Sequence, residues 1–249
     1  MISNIKMFIF ILLTILLVLV VLSILGKRNK KNCHRIDLVI ARYNESLNWL
    51  DDIDTSNINV IVYNKHDEDF IHPKVDKVIK LENVGKCDHT YLYHIIENYD
   101  NLNDVTIFTA GSCDMPYKWT QFKKVFDKAT TQYDSAFEVG AQYDIRNSLY
   151  DFVLDEWKTS NDINRSKNNE VKTQLCSVRP FGKWYESKFG DLVTNHVTYM
   201  GMFAASRKDI HNRSKEFYKD LINDVMTSNP ECGHFIERSW IAIFQPSLN

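Results

Sequence analysis

From residue 35 onward the chain alternates short β-branched runs with stretches of helical period, and this alternation limits the possible folds more than any other feature. Residues 35–41 (RIDLVIA), 58–63 (INVIVY), 75–81 and 105–110 (VTIFTA) read as strands. Between them, 46–53 reads as a short helix capped by Ser46 or Asn44. Residues 88–99 place apolar or aromatic side chains at 91, 92, 95, 96 and 99, a helical period, and 117–129 is also helical. Such alternation predicts a single α/β domain over 35–249, with a mainly parallel sheet and helices on both faces. Ligands of such sheets bind beyond the carboxyl ends of the strands. The loops at 42–45, 64–69, 83–88 and 111–116 would collect at that edge.

The pattern weakens from 140 to 195. A short strand is expected at 135–139. The polar stretch 147–174 reads as an insertion, a lid or a loose surface segment. Residues 196–206 are strand-like again, and 207–226 and 231–244 read as two helices.

Ahead of this domain, residues 7–25 form an apolar run without a charge. About 20 such residues span a bilayer core, so 7–25 reads as a transmembrane helix between a short tail at 1–6 and a basic linker at 26–34. A cleaved signal peptide is the alternative, although its apolar region is usually only about 7–15 residues long. The bases that follow the run predict a single-pass topology with the body facing the cytosol. Residues 1–31 hold five of the 30 Lys and Arg residues and none of the 32 Asp and Glu. The remainder is therefore acidic, which argues against a sequence-independent nucleic-acid binder. Five cysteines are scattered without a C-x-x-C pair, so neither a zinc site of that spacing nor a disulfide-stapled fold is expected.

Four short stretches carry possible chemistry. In Asn83-Val-Gly-Lys-Cys-Asp-His a strand runs through Gly85 into a helix. The free N–H groups of the helix start and the Lys86 cation suit a diphosphate. The plainer reading is a strand-to-helix turn with Asp88 as N-cap. Asp114, in Gly-Ser-Cys-Asp-Met-Pro, could hold a divalent metal, Mg or Mn, or could simply sit in a turn before Pro116. The small residues of Gly201-Met-Phe-Ala-Ala allow a close ligand or a plain core strand. His234 and Glu237 share a helix face, as a metal ligand and a proton-transfer group or as a surface His beside a Glu–Arg pair. Nucleophile-elbow, phosphate-loop, dinucleotide and zincin motifs are absent from the sequence.

Ala41-Arg-Tyr-Asn-Glu with Trp49, Val62-Tyr-Asn-Lys, Asn83-Val-Gly before His89-Thr-Tyr-Leu, His94-Ile-Ile-Glu-Asn-Tyr-Asp-Asn-Leu and Glu237-Arg-Ser-Trp resemble domain-of-unknown-function family 3431. That family in turn looks like a relative of GT-A glycosyltransferases. The resemblance implies a GT-A-like (Rossmann-like) sheet and transfer of a sugar from a nucleotide-sugar donor to a glycan, protein or lipid acceptor. It also implies that Arg42, Asn44, Glu45, Asn83, Gly85, Lys86 and His89 meet the donor, that Asp114 and His234 hold the metal, and that Glu237 or Asp88 is the base. This chain departs from the family pattern. Lys86-Cys87 stands for the usual Arg-Glu, and Ala110 for the usual Gln. A catalytically degenerate, membrane-tethered binding or scaffold protein of the same fold is therefore the alternative.

Overall fold

The computed structural model describes residues 35–138, 144–155 and 172–245. Strand β1 (Ile36–Arg42) is buried over its first six residues. Such a continuous run is needed where both faces of a strand are covered. Strands β2 (Ile58–Asn64), β3 (Lys77–Lys80) and β4 (Val105–Ala110) lie parallel to it, with Leu38 opposite Val60 on one side and Ile107 on the other. Strands β5 (Ala136–Phe137) and β6 (Phe203–Ser206) complete the sheet in the order β3-β2-β1-β4-β6-β5.

This corrects the expected GT-A-like, mainly parallel sheet. Strand β6 is antiparallel to both β4 and β5, so the sheet is mixed as well as open. Its residues, Phe203-Ala-Ala-Ser, are all buried, between two neighbouring strands. Nothing in a four-residue apolar run encodes its direction.

Side chains of successive strand residues point to opposite faces. Val39, Ala41, Ile61, Tyr63 and Phe108 enter one core with α1 (Lys86–Asn98), while Leu38, Ile40, Val60, Val62 and Ile107 enter the other with α2 (Pro116–Gln132). Pro116 opens α2 at a position where its missing N–H costs nothing. The first core also takes α3 (Phe181–Phe189), α4 (Lys215–Asn223), α5 (Glu231–Glu237) and α6 (Trp240–Phe244). Phe181, Trp184 and Tyr185 of α3 are fully enclosed, so this part of the weak-pattern region contributes to the core. Residues 156–171 of the expected insertion lie outside the described residues.

Other expectations are also revised. Residues 46–53 form only a short 3-10 stretch, Asn48–Asp52, with no side-chain cap. The helix expected at 207–226 is two pieces, Arg207–Ile210 and α4, each capped by a serine, Ser206 and Ser214. The one at 231–244 breaks at Ser239, whose hydroxyl donates back to the Phe235 carbonyl at 2.8 Å. A disulfide joins Cys176 to Cys232, although cysteines 56 positions apart carry no spacing signal. Beside it, the wholly buried carboxylate of Glu231 accepts from Leu154 N, Cys176 N and Arg179 at 2.8–2.9 Å.

No helix among the described residues is long and apolar enough to cross a membrane. The run at 7–25 lies outside the described residues. The expected single-pass topology, its cytosol-facing body and the membrane as a partner find no support among the described residues.

Candidate functional site

The parallel strands β1, β2 and β4 all end at one edge, and a cavity of about 250 Å³ opens there. Its wall is built from Arg42 and Glu45 after β1, Lys65 after β2, Ser112 and Lys118 after β4, the start of α1, and one side of α5. The residues come from the ends of two strands, six loops and three helices (α1, α2 and α5), spread over almost 200 positions.

The turn into α1 is held from three directions. Gly85 has φ +57° and donates to the Thr227 carbonyl at 2.6 Å. Lys86 is also left-handed, at φ +49°, a conformation that costs a non-glycine residue about 1 kcal/mol or more. The buried Lys65 ammonium donates to the Val84 carbonyl at 2.6 Å and, at very short range, to the Lys86 carbonyl. Burial lowers Lys65 to about 8. The N–H groups of the first turn of α1 have no intrahelical acceptor to reach back to, which gives this wall partial positive charge. Asp88 is inside the first turn rather than at its cap. Gly85 is the cap residue, and no side chain caps the helix.

Two acids line the cavity, and the charge of one acts on the other. Asp88 is buried and accepts from the Trp240 indole at 3.2 Å. Burial and the neighbouring Glu237 charge push its carboxyl well above the usual range. Gly233 of α5 leaves room for it, since a Cβ there would stand 3.3 Å from Asp88 Oδ2. Glu237 accepts from Met200 N at 2.8 Å, while its other oxygen lies 3.5 Å from Arg238 and 4.0 Å from His234. Its side chain keeps 24% of its surface, open to the cavity. Burial raises its carboxyl, against the opposing pull of Arg238. Burial drives Lys86 down to about 7 and His234 down to about 3.

Arg42 is held by its own loop. It donates to Glu45 O at 2.7 Å and Asn64 Oδ1 at 2.8 Å, and its guanidinium lies 4.1 Å above the Phe70 ring. Glu45 folds back onto Tyr43 N at 2.8 Å and packs on Gly111.

The structure brings Arg42, Glu45, Asn83, Gly85, Lys86, Asp88, His234 and Glu237 to this one cavity. Asn44, His89 and Asp114 are not part of its lining. His89 is buried beneath the turn with its Nδ1 unpartnered, stacked on Tyr93. Asp114 is exposed, and the neighbouring Ser112 and Met115 face the cavity instead. Sequence reasoning missed Lys65, Lys118, Met200 and Ser228 as lining residues. Only Lys65 carried a signal, a lone base at the end of a strongly apolar strand.

The expected Mg or Mn site is corrected. Among the described residues no three His, Cys, Asp or Glu side chains come together as a metal-holding group. Asp114 points to solvent and His234 stands beside a single carboxylate, so the residues present do not fit the ion. The sugar-transfer reading, with its nucleotide-sugar donor and its glycan, protein or lipid acceptor, loses the metal it was built on. The tethered binding or scaffold alternative finds no membrane-spanning helix among the described residues to support it. Both are set aside.

Fold and site define a mixed, open-sheet α/β domain with a polar cavity at the carboxyl ends of its parallel strands. The chain belongs to the family described as "Protein of unknown function (DUF3431)", whose model matches residues 38–248. No curated protein matches it. Neither finding links it to the GT-A fold.

Proposed function

We propose that the cavity is the active site of an enzyme that binds a small anion and moves a proton through Glu237. The observation that supports this most directly is the meeting of Asp88 and Glu237, 149 positions apart in the chain, in one wall among four basic side chains. Burial makes ionising Asp88 costly, and the charge of Glu237 adds to that cost. Asp88 is the enclosed member, and Glu237 is the member that a ligand can reach. A carboxyl whose pKa burial raises above its usual range suits general acid–base work. Lys118, which donates to Ser112 Oγ at 3.3 Å, and the first turn of α1 supply the attraction for an anion.

Calorimetry with inorganic pyrophosphate, run in two buffers of different ionisation heat, tests this reading. Binding should be accompanied by net proton exchange. Lys118→Met should weaken it about tenfold, as expected for one charge-assisted hydrogen bond. Glu237→Gln should change the number of protons exchanged. If pyrophosphate, phosphate and small dicarboxylates all give only heats of dilution, the reading fails.

A further inference from the structure

We propose that Lys86 is a covalent nucleophile of the cavity, whose Nζ condenses with the carbonyl carbon of a small anionic aldehyde or ketone to form an imine. The inference deepens the reading of the cavity as an acid–base site for an anion, and rests on it. Three lysines, Lys65, Lys86 and Lys118, line the cavity. Lys65 is committed: its ammonium bridges the carbonyls of Val84 and Lys86. That bridge fixes the backbone of Lys86 itself, which is held left-handed directly after the left-handed Gly85. Strain of this kind persists only where the surroundings enforce it, and it is common where a side chain must be aimed. The Lys86 side chain lines the cavity with Glu237 and His234.

Its chemistry matches its place. Burial brings its ammonium to about 7, against the opposing charges of Asp88 and Glu237. At pH 7 this raises the neutral, nucleophilic fraction by a factor on the order of 10³ over an ordinary lysine. Desolvated lysines are the ones that form Schiff bases with carbonyl substrates.

The step balances within the site. The neutral amine forms a C–N bond to the carbonyl carbon, and a proton passes from nitrogen to the former carbonyl oxygen, giving a carbinolamine. The Glu237 carboxyl then donates its proton to that hydroxyl, the C–O bond breaks and water leaves. The product is a protonated imine beside an ionised Glu237, a pair of opposite charges where two neutral groups stood. No oxidant or reductant is consumed.

Reductive trapping tests the inference. The full chain is incubated with glyoxylate, the smallest aldehyde that bears a carboxylate, and cyanoborohydride, and is mapped by peptide mass spectrometry. The expected result is label at Lys86 at least about tenfold above any exposed lysine, given the difference in neutral fraction. Pyrophosphate should suppress that label, and Glu237→Gln should slow it. Because the map is made on the wild-type chain, it does not depend on a variant folding, and Lys86→Arg is the charge-preserving control. Pyrophosphate binding with an unlabelled Lys86 overturns the nucleophile and leaves the anion site standing. Label at Lys86 without any anion binding supports the nucleophile and removes the anion reading. Label spread evenly over surface lysines overturns the inference.

Discussion

The Trp240 indole donates to Oδ1 of Asp88 across 3.2 Å, joining α6 to the first turn of α1 through two buried side chains. This bond is the main polar compensation for a carboxyl that has been taken out of water. The indole donates more strongly to a carboxylate than to a neutral carboxyl, so the bond favours the charged form, but burial and Glu237 outweigh it.

Asp88 therefore sets one pH dependence of stability. Its folded pKa is raised above the usual 3.8 by burial and by Glu237. Between 3.8 and that raised value the folded chain holds a proton that the unfolded chain has lost, so stability falls as pH rises through this window. Asp88→Asn keeps an acceptor for Trp240 and removes the titration. We expect the variant to be more stable than wild type at pH 7 and equal to it near pH 4, read from urea midpoints at the two pH values. A variant less stable at pH 7 would mean that the charge, rather than the shape, is needed there.

His94 acts in the opposite direction. Its ring meets the Tyr63 hydroxyl at 3.0 Å inside the first core, and burial lowers its pKa from 6.5 to about 3. The unfolded chain takes up a proton near 6.5 that the folded chain refuses, so this stability is present in full above 6.5 and is lost as pH falls toward about 3. His94→Gln should lose stability at pH 7, by about 1–2 kcal/mol for the altered buried contacts. It should also show a shallower decline between pH 6.5 and 4.5. Thermal melts across that interval check it, and parallel slopes for the two proteins would refute it.

The strands that carry the site were legible because their physics is local. Residues 105–110 are β4, and 35–41 and 58–63 fall within one residue of β1 and β2. Fully buried parallel strands need unbroken apolar runs, and such runs stand out in a sequence. The Gly85 turn was legible for the same reason, since only glycine enters that conformation freely. What depends on long-range partners was not. The direction of β6 is set by β4 and β5, the Cys176–Cys232 bond by two segments meeting, and the role of Lys65 by carbonyls about 20 positions away. Asp114 shows the same limit from the other side. A carboxylate at a strand end looks like a ligand, but in this loop Ser112 and Met115 line the cavity while Asp114 is exposed.

The disulfide makes a stability prediction from loop length alone. It closes a loop of 56 positions between the segment before α3 and the first turn of α5. In the chain-entropy account such a closure is worth about 4 kcal/mol. Cys176→Ser with Cys232→Ser, or reduction by a thiol, should lower the urea midpoint accordingly. Because α5 also presents His234 and Glu237, pyrophosphate affinity should fall in the same samples. An unchanged midpoint after complete reduction, verified by thiol titration, would show that Glu231 and its three hydrogen bonds hold the two segments by themselves.

Gly85 and Gly111 separate a hard steric limit from a soft one. A Cβ on Gly85 would stand 2.2 Å from the Val225 carbonyl oxygen and 2.5 Å from His89 Cβ, on a residue already at φ +57°. The oxygen belongs to the backbone and cannot swing aside, and an alanine there adds left-handed strain. A Cβ on Gly111 would meet the Glu45 carboxylate at 2.9 Å, at an ordinary φ. That carboxylate is the far end of a side chain and can turn away, giving up its bond to Tyr43 N. Gly85→Ala should therefore cost about 3 kcal/mol or more, and Gly111→Ala about 1 kcal/mol. In the second variant the fold survives while the loop after β1 loosens, so hydrogen exchange at Tyr43 should rise without a matching fall in global stability. Equal losses in the two variants would show that Glu45 is as immovable as the Val225 backbone.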